Sequence, residues 1–283
     1  MNNPTESNPD AESGRRPGES HPIIWYWSTK GGCGTSTIAA GTAIRLASKM
    51  QSADEDREVV LIDLTGDQVA LLGLVSGDKP DTPGISDWLV SDASCDDLDG
   101  LIEKVAPGLG LVRLGTRSPA DLGDHTPDSR RSWRLVTALQ TLARPDRVVV
   151  VDAGLDLHQH RSCVPATPVC VIRACYLALN RGQRVPGPYE RIVLIEEPSR
   201  ALRVRDVAAA LGASSVERVA WDPRVARSVD AGTIVSMLPP PLRRRPRRGS
   251  GPLRSGSRVR ALRARPCRIA RIRGPAVGLH ASC

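Results

Sequence analysis

This 283-residue sequence contains no phenylalanine, and aromatic residues make up only 3% of it. We therefore expect an aliphatic core, for which Val, Leu, Ile and Ala are abundant within an apolar content of 40%. No run of 18 apolar residues occurs, which argues against a transmembrane helix. The first 20 residues have no apolar segment of the signal-peptide kind, so a cytoplasmic protein is expected.

Patterns for metal binding through cysteine or histidine are also missing. The seven cysteines show no paired C-x-x-C spacing. Cys163, Cys170 and Cys175 lie in or near apolar runs, which favours small core residues over a zinc site. The one close histidine pair, in His158-Gln159-His160, is more typical of a solvated loop than of a metal site.

Acidic residues are absent from the last part of the chain, since 231–283 contain 13 Arg, no Lys and no acid. This segment explains the formal net charge of +8, because residues 1–230 hold 26 basic and 31 acidic residues. Its Pro, Gly, Ser and Arg content predicts a disordered basic tail over 241–283, and the polar residues 1–21 are expected to be disordered too. The tail can bind nucleic acid or an anionic membrane surface. The alternative is a solvated extension without a partner, such as the out-of-frame end of a gene rich in G and C.

Strands and helices are predicted to alternate along residues 22–240. The clearest strand is Arg147–Asp152, where four consecutive valines indicate burial on both faces, as in a parallel sheet. The other predicted strands are Ile23–Trp27, Glu58–Asp63, Leu109–Leu114, Pro168–Arg173, Arg191–Ile195 and Ser215–Ala220. Helical segments are predicted at Ile38–Ala47, Val69–Leu74, Asp87–Val90, Leu98–Val105, Ser129–Ala143, Tyr176–Arg184, Arg203–Leu211 and Pro223–Ala231. The sequence thus predicts an α/β fold with a doubly wound, mostly parallel sheet between two helical layers.

A glycine-rich loop joins the first predicted strand to an Ala-rich helix. Gly31, Gly32 and Gly34 allow the backbone to bend so that successive N–H groups face an anion, and the helix adds its positive N-terminal end. Strand, loop and helix together are typical of a P-loop, in which a hydroxyl at the helix start, here Ser36, holds Mg²⁺. A glycine-rich turn without a ligand is the alternative. The predicted nucleotide-binding residues are Lys30, Gly31, Gly32, Cys33, Gly34, Thr35, Ser36 and Thr37.

The form of this loop resembles that of a known family. A lysine directly before two glycines, as at Lys30, is similar to the deviant Walker A pattern K-G-G-x-G-K-[ST] of the MinD/ParA family (SIMIBI class) of P-loop ATPases. The resemblance implies that Lys30 reaches across a nucleotide-sandwiched homodimer to the phosphates of the second copy. The family's general phosphate-binding lysine is replaced by Thr35, as in the TadZ/CpaE-like variants linked with pilus assembly and polar localisation. Since a charge-assisted hydrogen bond is worth roughly 1.5–3 kcal/mol, its loss predicts nucleotide binding weaker by about ten- to a hundred-fold.

Carboxylates that could complete such a site follow two of the buried strands. Asp152 comes after the four valines and fits a Walker B acid, with an ordinary loop aspartate as the alternative. Asp63 ends its strand in the same way. We predict that Ser36 binds Mg²⁺ and that Asp152 and Asp63 hold its water shell.

The acid that orients the attacking water is missing from its usual place. The family resembled here has Asp-x-Asp after the second strand, whereas this chain has Asp63-Leu64-Thr65. Asp67 is the candidate substitute, provided that a turn at Gly66 brings it back to the site. The predicted catalytic residues are therefore Lys30, Asp63 and Asp67.

The resemblance extends over about 22–240. Residues 59–64 with 71–74 are similar to the second strand and following turn of MinD-like proteins, and Asp222–Gly232 is similar to their last strand-to-helix segment, near the base. It implies an ATP- and Mg²⁺-binding protein that dimerises with nucleotide and positions a chromosome, a division site or a pilus machine through an unidentified protein partner. Hydrolysis is expected to be weak or absent, and the tail would add contact with the nucleoid or membrane. The alternatives are a non-catalytic scaffold that does not need nucleotide, and an active ATPase that uses Lys30 in place of the missing lysine.

Overall fold

A nine-stranded sheet forms the centre of the described chain. The structure is a computed structural model that describes residues 23–53, 56–74, 82–118, 130–155, 164–185 and 189–243, and the backbone of 247–248. The strands are β1 Ile23–Trp27, β2 Glu58–Asp63, β3 Ile102–Ala106, β4 Leu109–Val112, β5 Arg147–Asp152, β6 Thr167–Arg173, β7 Ile192–Glu196, β8 Val216–Ala220 and β9 Arg247–Arg248. The helices are α1 Thr35–Ser52, α2 Gln68–Leu71, α3 Ile85–Val90, α4 Arg130–Leu142, α5 Tyr176–Gly182, α6 Val204–Leu211, α7 Pro223–Asp230 and α8 Pro240–Arg243, with a 3-10 helix at Cys95–Leu101.

The strand order is β3-β4-β2-β5-β1-β6-β7-β8-β9. All neighbouring pairs are parallel except the two at the edges, β3 with β4 and β8 with β9. The chain builds one half of the sheet as far as β5, inserts β5 between β2 and β1, and then continues from β6 on the other side of β1. The predicted doubly wound, mostly parallel α/β fold is confirmed. The carboxyl ends of β1, β2 and β5 lie side by side, so the loops after them meet at one edge.

Helices cover both faces of the sheet and make it the middle of three layers. One apolar cluster joins alternate residues of the central strands to α3, α4, α5 and α6. The other joins the remaining strand residues to α1, α2, α7 and α8. Every residue of β5 is buried, as the run of valines predicts. Burial of each valine side chain contributes about 1.5–3 kcal/mol, and the four valines alternate between the two clusters, so β5 packs on both layers.

The predicted helix at Leu98–Val105 is wrong. The segment is a 3-10 helix as far as Leu101 and then strand β3, which pairs antiparallel with β4. Pro107 and Gly108 join the two strands, and Gly108 has a φ of 67°. A Pro-Gly turn of this kind favours a hairpin, and the hairpin outweighs the helical spacing of the apolar residues before it.

The core is not purely aliphatic, contrary to expectation, because five of the eight aromatic side chains are buried and three of these lie on β1. Trp25 and Trp27 face one apolar cluster, and Trp27 stacks on Tyr189 with ring centroids 5.5 Å apart. Tyr26 faces the other cluster, where its hydroxyl lies 3.0 Å from that of Thr42. The few large side chains are thus concentrated on the strand that leads into the glycine loop.

Two short elements of the described chain, α8 and β9, lie at or after residue 240. Leu242 in α8 is buried against α1, and a β-carbon added at Gly41 would lie 3.0–3.2 Å from its atoms. Strand β9 then pairs with β8. Residues 1–21 and 249–283, the pair His158 and His160, and Cys163 lie outside the described residues.

None of the helices in the described ranges has the length and apolar content that a membrane span needs. Cys170 is buried in the apolar cluster that packs on α3 to α6, and the partly buried Cys175 packs against that cluster, which agrees with the interpretation of these two as core residues.

Candidate functional site

The loop between β1 and α1 has the backbone shape that an anion site requires. Gly32 and Gly34 have φ values of 76° and 91°, a left-handed conformation that glycine adopts without strain. Gly34 is the N-cap of α1, and no side chain caps the helix there. The first N–H groups of α1 are therefore open to an anion at the positive end of an 18-residue helix.

Neighbouring elements hold the loop from below. The buried hydroxyl of Thr29 donates to the carbonyl of Ala178 in α5 at 2.9 Å. The Ser28 hydroxyl donates to the carbonyl of Lys30 at 3.0 Å, and the Ser28 N–H donates to the carbonyl of Gly154, after β5, at 2.8 Å. These contacts fix the shape of the loop without using the N–H groups at the start of α1.

A cleft of about 690 Å³ opens above the loop. Its lining consists of loop residues and of residues that follow β2 and β5 or belong to α2 and α7: Ser28, Gly31, Gly32, Cys33, Gly34, Thr35, Ser36, Thr37, Thr65, Asp67, Ala70, Leu71, Gly154, Leu155, Val229 and Asp230. The only charged side chains in this described lining are those of Asp67 and Asp230. Thr35, at the position of the missing lysine, is buried and lines the cleft. The charge loss expected from the sequence therefore has no basic substitute among the lining residues.

Two further predicted loop residues are Lys30, whose amine is exposed, and Cys33, whose side chain is buried. The Lys30 amine donates to the carbonyl of Gly31 at 2.9 Å, and Lys30 is not part of the cleft lining. Cys33 is buried in the apolar cluster beneath the loop, and this burial raises the pKa of its thiol. Cys33 can therefore contribute a backbone N–H to an anion, whereas its side chain serves the core.

Asp63 organises the loop that follows β2. One of its carboxylate oxygens accepts hydrogen bonds from the N–H groups of Thr65 and Gly66, at 2.9 and 2.8 Å, and from the Thr65 hydroxyl, at 2.9 Å. The other accepts the N–H of Gln68 at 2.9 Å. Burial raises the pKa of the Asp63 carboxyl, and these four hydrogen bonds counteract the rise. Both oxygens are thus engaged by the chain itself.

Asp152 lies beside this loop with no solvent exposure. Its Oδ2 accepts a hydrogen bond from the Gln68 amide at 2.8 Å and lies 3.0 Å from the Thr65 hydroxyl, whose single proton serves either this oxygen or Oδ1 of Asp63. Its Oδ1 has no hydrogen-bond partner among the described residues. Burial, reinforced by the nearby charge of Asp63, raises the pKa of Asp152 to about 6, although hydrogen bonds from Gln68 and others lower it.

The turn at Gly66 brings Asp67 to the cleft, as its proposed substitution for the missing acid requires. Gly66 has a φ of 87°, and Asp67 lines the cleft beside Ser36. The Ser36 hydroxyl lies 3.4 Å from Asp67 Oδ2, at the limit of a hydrogen bond. Ser36, Asp67 and Asp152 are therefore brought to one side of the glycine loop.

This arrangement suits a hydrated Mg²⁺ better than a metal enclosed by protein ligands. Within the described ranges, no cluster of three or more His, Cys, Asp or Glu side chains is placed to hold a metal ion. Mg²⁺ usually keeps several waters and binds through one or two carboxylates together with substrate phosphates. The unpaired Oδ1 of Asp152 and the hydroxyl of Ser36 are groups of this kind. The residues present thus fit the metal.

A second cavity of about 260 Å³ adjoins the cleft and shares five lining residues with it, which are Cys33, Gly34, Thr37, Val229 and Asp230. Its other walls include Arg173 at the end of β6, which forms an ion pair with Glu197 at 3.0 Å, and the half-exposed indole of Trp221. Asp222, from the segment that resembles the family's base region, caps α7 by accepting the N–H of Arg224 at 2.8 Å. Arg173 and Trp221 are site residues that the sequence analysis missed.

Several solved structures share this fold. A ParA family ATPase from Chlorobium tepidum TLS aligns with a TM-score of 0.57 and 19% identity over 76% of this chain and 90% of that one. The MinD cell division protein of Aquifex aeolicus aligns with a TM-score of 0.54 and 18% identity over 74% and 86% of the two chains. A putative plasmid partition protein from Borrelia burgdorferi B31, bound to AMPPNP, gives 0.53 and 20% over 74% and 89%. The sequence matches no protein-family model and no curated protein. The chain thus has the fold of ParA and MinD ATPases.

Proposed function

We propose that this chain binds ATP with Mg²⁺ at the glycine loop and acts in intracellular positioning through nucleotide-linked homodimerisation, with weak or absent hydrolysis. The observation that carries the proposal is the uncapped start of α1, with its left-handed glycines, beside Asp67, which follows β2, and Asp152, which ends β5. An N-terminal helix end of this kind attracts phosphate. The fold shared with ParA and MinD ATPases supports the role in positioning.

The two adjoining cavities suit the two ends of a nucleotide. The cleft over the glycine loop offers backbone N–H groups from Gly31 to Ser36 for the phosphates. The smaller cavity offers an apolar wall and the indole of Trp221, on which a base can stack. The shared residues between them make one continuous path from the loop to this wall.

Magnesium has a specific task in a cleft that carries two carboxylates and no basic side chain in its described lining. Mg²⁺ offsets the negative charge of the nucleotide phosphates. Ser36 binds the metal, and Asp152 holds its water shell. Asp67 and Asp230 would repel a metal-free nucleotide, so the metal complex is the expected ligand.

The homodimer and the cellular location are further parts of the proposal. Lys30 supports a dimer because its amine is exposed on the loop and outside the cleft of its own chain. A second copy placed against this edge would receive that charge at its phosphates. The 13 arginines of residues 231–283 support a cytoplasmic protein that contacts the nucleoid or the membrane surface through its tail. The protein partner and its cargo leave no feature in the described residues that identifies them.

Calorimetric titration with Mg²⁺–ATP tests nucleotide binding. We expect saturable binding at micromolar to millimolar concentrations, markedly weaker in Ser36→Ala and unchanged in the matched variant Ser48→Ala on an exposed part of the same helix. Absence of saturable binding up to millimolar Mg²⁺–ATP would refute the proposal and favour the scaffold that needs no nucleotide.

Light scattering with and without Mg²⁺–ATP tests dimerisation. We expect dimers only with nucleotide, and Lys30→Ala should remain monomeric while its own nucleotide binding persists. A dimer of equal stability without nucleotide would contradict the proposed linkage. Fast ATP turnover that depended on Lys30 would instead establish the active ATPase.

A further inference from the structure

The burial of Gln68 is not expected from its position in the sequence. Gln68 begins α2 directly after Asp67, yet its side chain has no solvent exposure. Its amide nitrogen donates to the carbonyl of Ser36 at 3.1 Å and to Oδ2 of Asp152 at 2.8 Å. One side chain therefore joins the start of α1 to the end of β5.

Two neighbouring acceptors are left without donors in this arrangement. The Gln68 amide donates to Oδ2 of Asp152, with the Thr65 hydroxyl 3.0 Å away, whereas Oδ1 of Asp152 and the amide oxygen of Gln68 have no partner among the described residues. Buried acceptors are rarely unpaired, because desolvation then goes uncompensated. A hydrated cation beside Ser36 would provide donors through its waters to acceptors on this side of the loop.

Asp63 supports this arrangement from behind. Its two oxygens accept four hydrogen bonds from residues 65–68, including the N–H of Gln68. Both carboxylate oxygens of Asp63 are therefore bonded to the loop that carries Gln68. Its effect on a metal would pass through Gln68 rather than through a free carboxylate oxygen.

We propose that Gln68 is a positioning residue for the metal: it holds Oδ2 of Asp152 and thereby presents Oδ1 to the water shell of the Mg²⁺ that Ser36 binds. Gln68 itself touches neither metal nor nucleotide. Asp63 fixes the turn that places Gln68, and the hydrogen bond to the Ser36 carbonyl aligns the hydroxyl and the carboxylate with each other. This inference rests on the proposed binding of Mg²⁺–ATP and adds the residue that orients the metal's protein groups.

The test separates the metal dependence of nucleotide binding from the binding itself. A fluorescent ATP analogue is titrated into full-length wild type, Gln68→Leu and Gln68→Met, first with EDTA and then at fixed nucleotide with increasing Mg²⁺. Outer-shell partners of a metal site typically contribute about 10- to 100-fold in metal affinity. We expect the Mg²⁺ concentration for half-maximal effect to rise by about that factor in both variants, with affinity in EDTA unchanged within about two-fold.

Matched variants give the inference its controls. Gln140→Leu removes the amide of an exposed glutamine on α4 and should behave as wild type. In an Asp152→Asn background, Gln68→Leu should add no further loss. Gln68→Leu and Gln68→Met are both used so that the result does not depend on how one replacement packs. The thermal unfolding of each is measured to show that it is folded.

Equal losses with Mg²⁺ and with EDTA would overturn the inference, because Gln68 would then only hold the loop. An unchanged Mg²⁺ requirement in both variants, or an additive loss with Asp152→Asn, would overturn it as well. Wild type that bound nucleotide equally well with and without Mg²⁺ would refute the inference while leaving nucleotide binding intact. Wild type that bound no nucleotide under either condition would refute the proposed function and this inference with it.

Discussion

Replacing Thr35 by lysine would return a positive charge to the glycine loop. Thr35 is the first residue of α1, is 6% exposed and lines the cleft, so a side chain extended from it leads into the cleft. No Lys or Arg is present among the described lining residues to duplicate its effect. The variant therefore tests whether charge is what limits nucleotide affinity.

The expected gain follows from the value of one charged hydrogen bond. At roughly 1.5–3 kcal/mol for a hydrogen bond to a charged group, Thr35→Lys should tighten ATP binding by about ten- to a hundred-fold. The helix dipole already supplies about half a positive charge at this end, so the change should be of this order and no larger. The assay is calorimetric titration with Mg²⁺–ATP at 0.15 M salt.

Ser48→Lys is the matched control, because it adds the same charge to an exposed position of the same helix. It lies 13 residues further along α1, about 20 Å away at 1.5 Å per residue. That distance exceeds the screening length of about 8 Å at this salt concentration, so Ser48→Lys should leave the affinity unchanged. No gain in Thr35→Lys, or an equal gain in Ser48→Lys, would refute the reasoning.

Three further predictions concern the loops, the buried acid and the tail. Alanine at Gly154, which has a φ of 60°, would place a β-carbon 2.6 Å from Thr65, whereas a β-carbon at Gly212, with a φ of 61°, would have nothing within 4 Å. Both replacements should lower the free energy of unfolding by about 1–2 kcal/mol through backbone strain, and denaturant titration should show a larger loss for Gly154→Ala because of the added contact. An equal loss in the two variants would contradict the effect of that contact. Since burial raises the pKa of Asp152 to about 6, from near 3.9 when unfolded, the folded state binds more protons between these values, and the free energy of unfolding in EDTA should fall by on the order of 3 kcal/mol as pH rises from about 4 to above 6. Most of that fall should disappear in Asp152→Asn, and its persistence would assign it to other groups. Deleting 249–283 spares Leu242 and β9 and removes eight of the 13 arginines, so it should weaken salt-dependent binding to DNA or anionic vesicles and reduce its salt dependence. Unchanged binding would show that residues 249–283 do not contribute to it.

The parts of the fold that the sequence predicted well depend on local signals. Strand β1, the glycine loop and α1 follow one another within 30 residues, and each is specified by its own apolar run, its own glycines or its own alanines. Strand β5 is similarly specified by its valines. The hairpin of β3 and β4 had a local signal too, in Pro107 and Gly108, but the helical spacing of the apolar residues before it pointed the other way.

The parts that could not be predicted depend on contacts between distant residues. Gln68 follows an exposed aspartate, and glutamine is a residue type found mostly on protein surfaces. Its burial arises from Asp152, 84 positions later in the chain. The hydrogen bond from Thr29 to Ala178 spans 149 positions, and no short-range pattern indicates it. Prediction from the sequence therefore located the loop and its acids but not the network that holds them.

The packing of Leu242 on Gly41 has a consequence for folding during synthesis. A ribosome adds about 5–20 residues per second, so Leu242 is joined to the chain roughly 10–40 seconds after Gly41. Throughout that interval Leu242 is not yet available to cover Gly41 on α1. The helix that begins at the glycine loop thus completes its packing only after α8 has been synthesised.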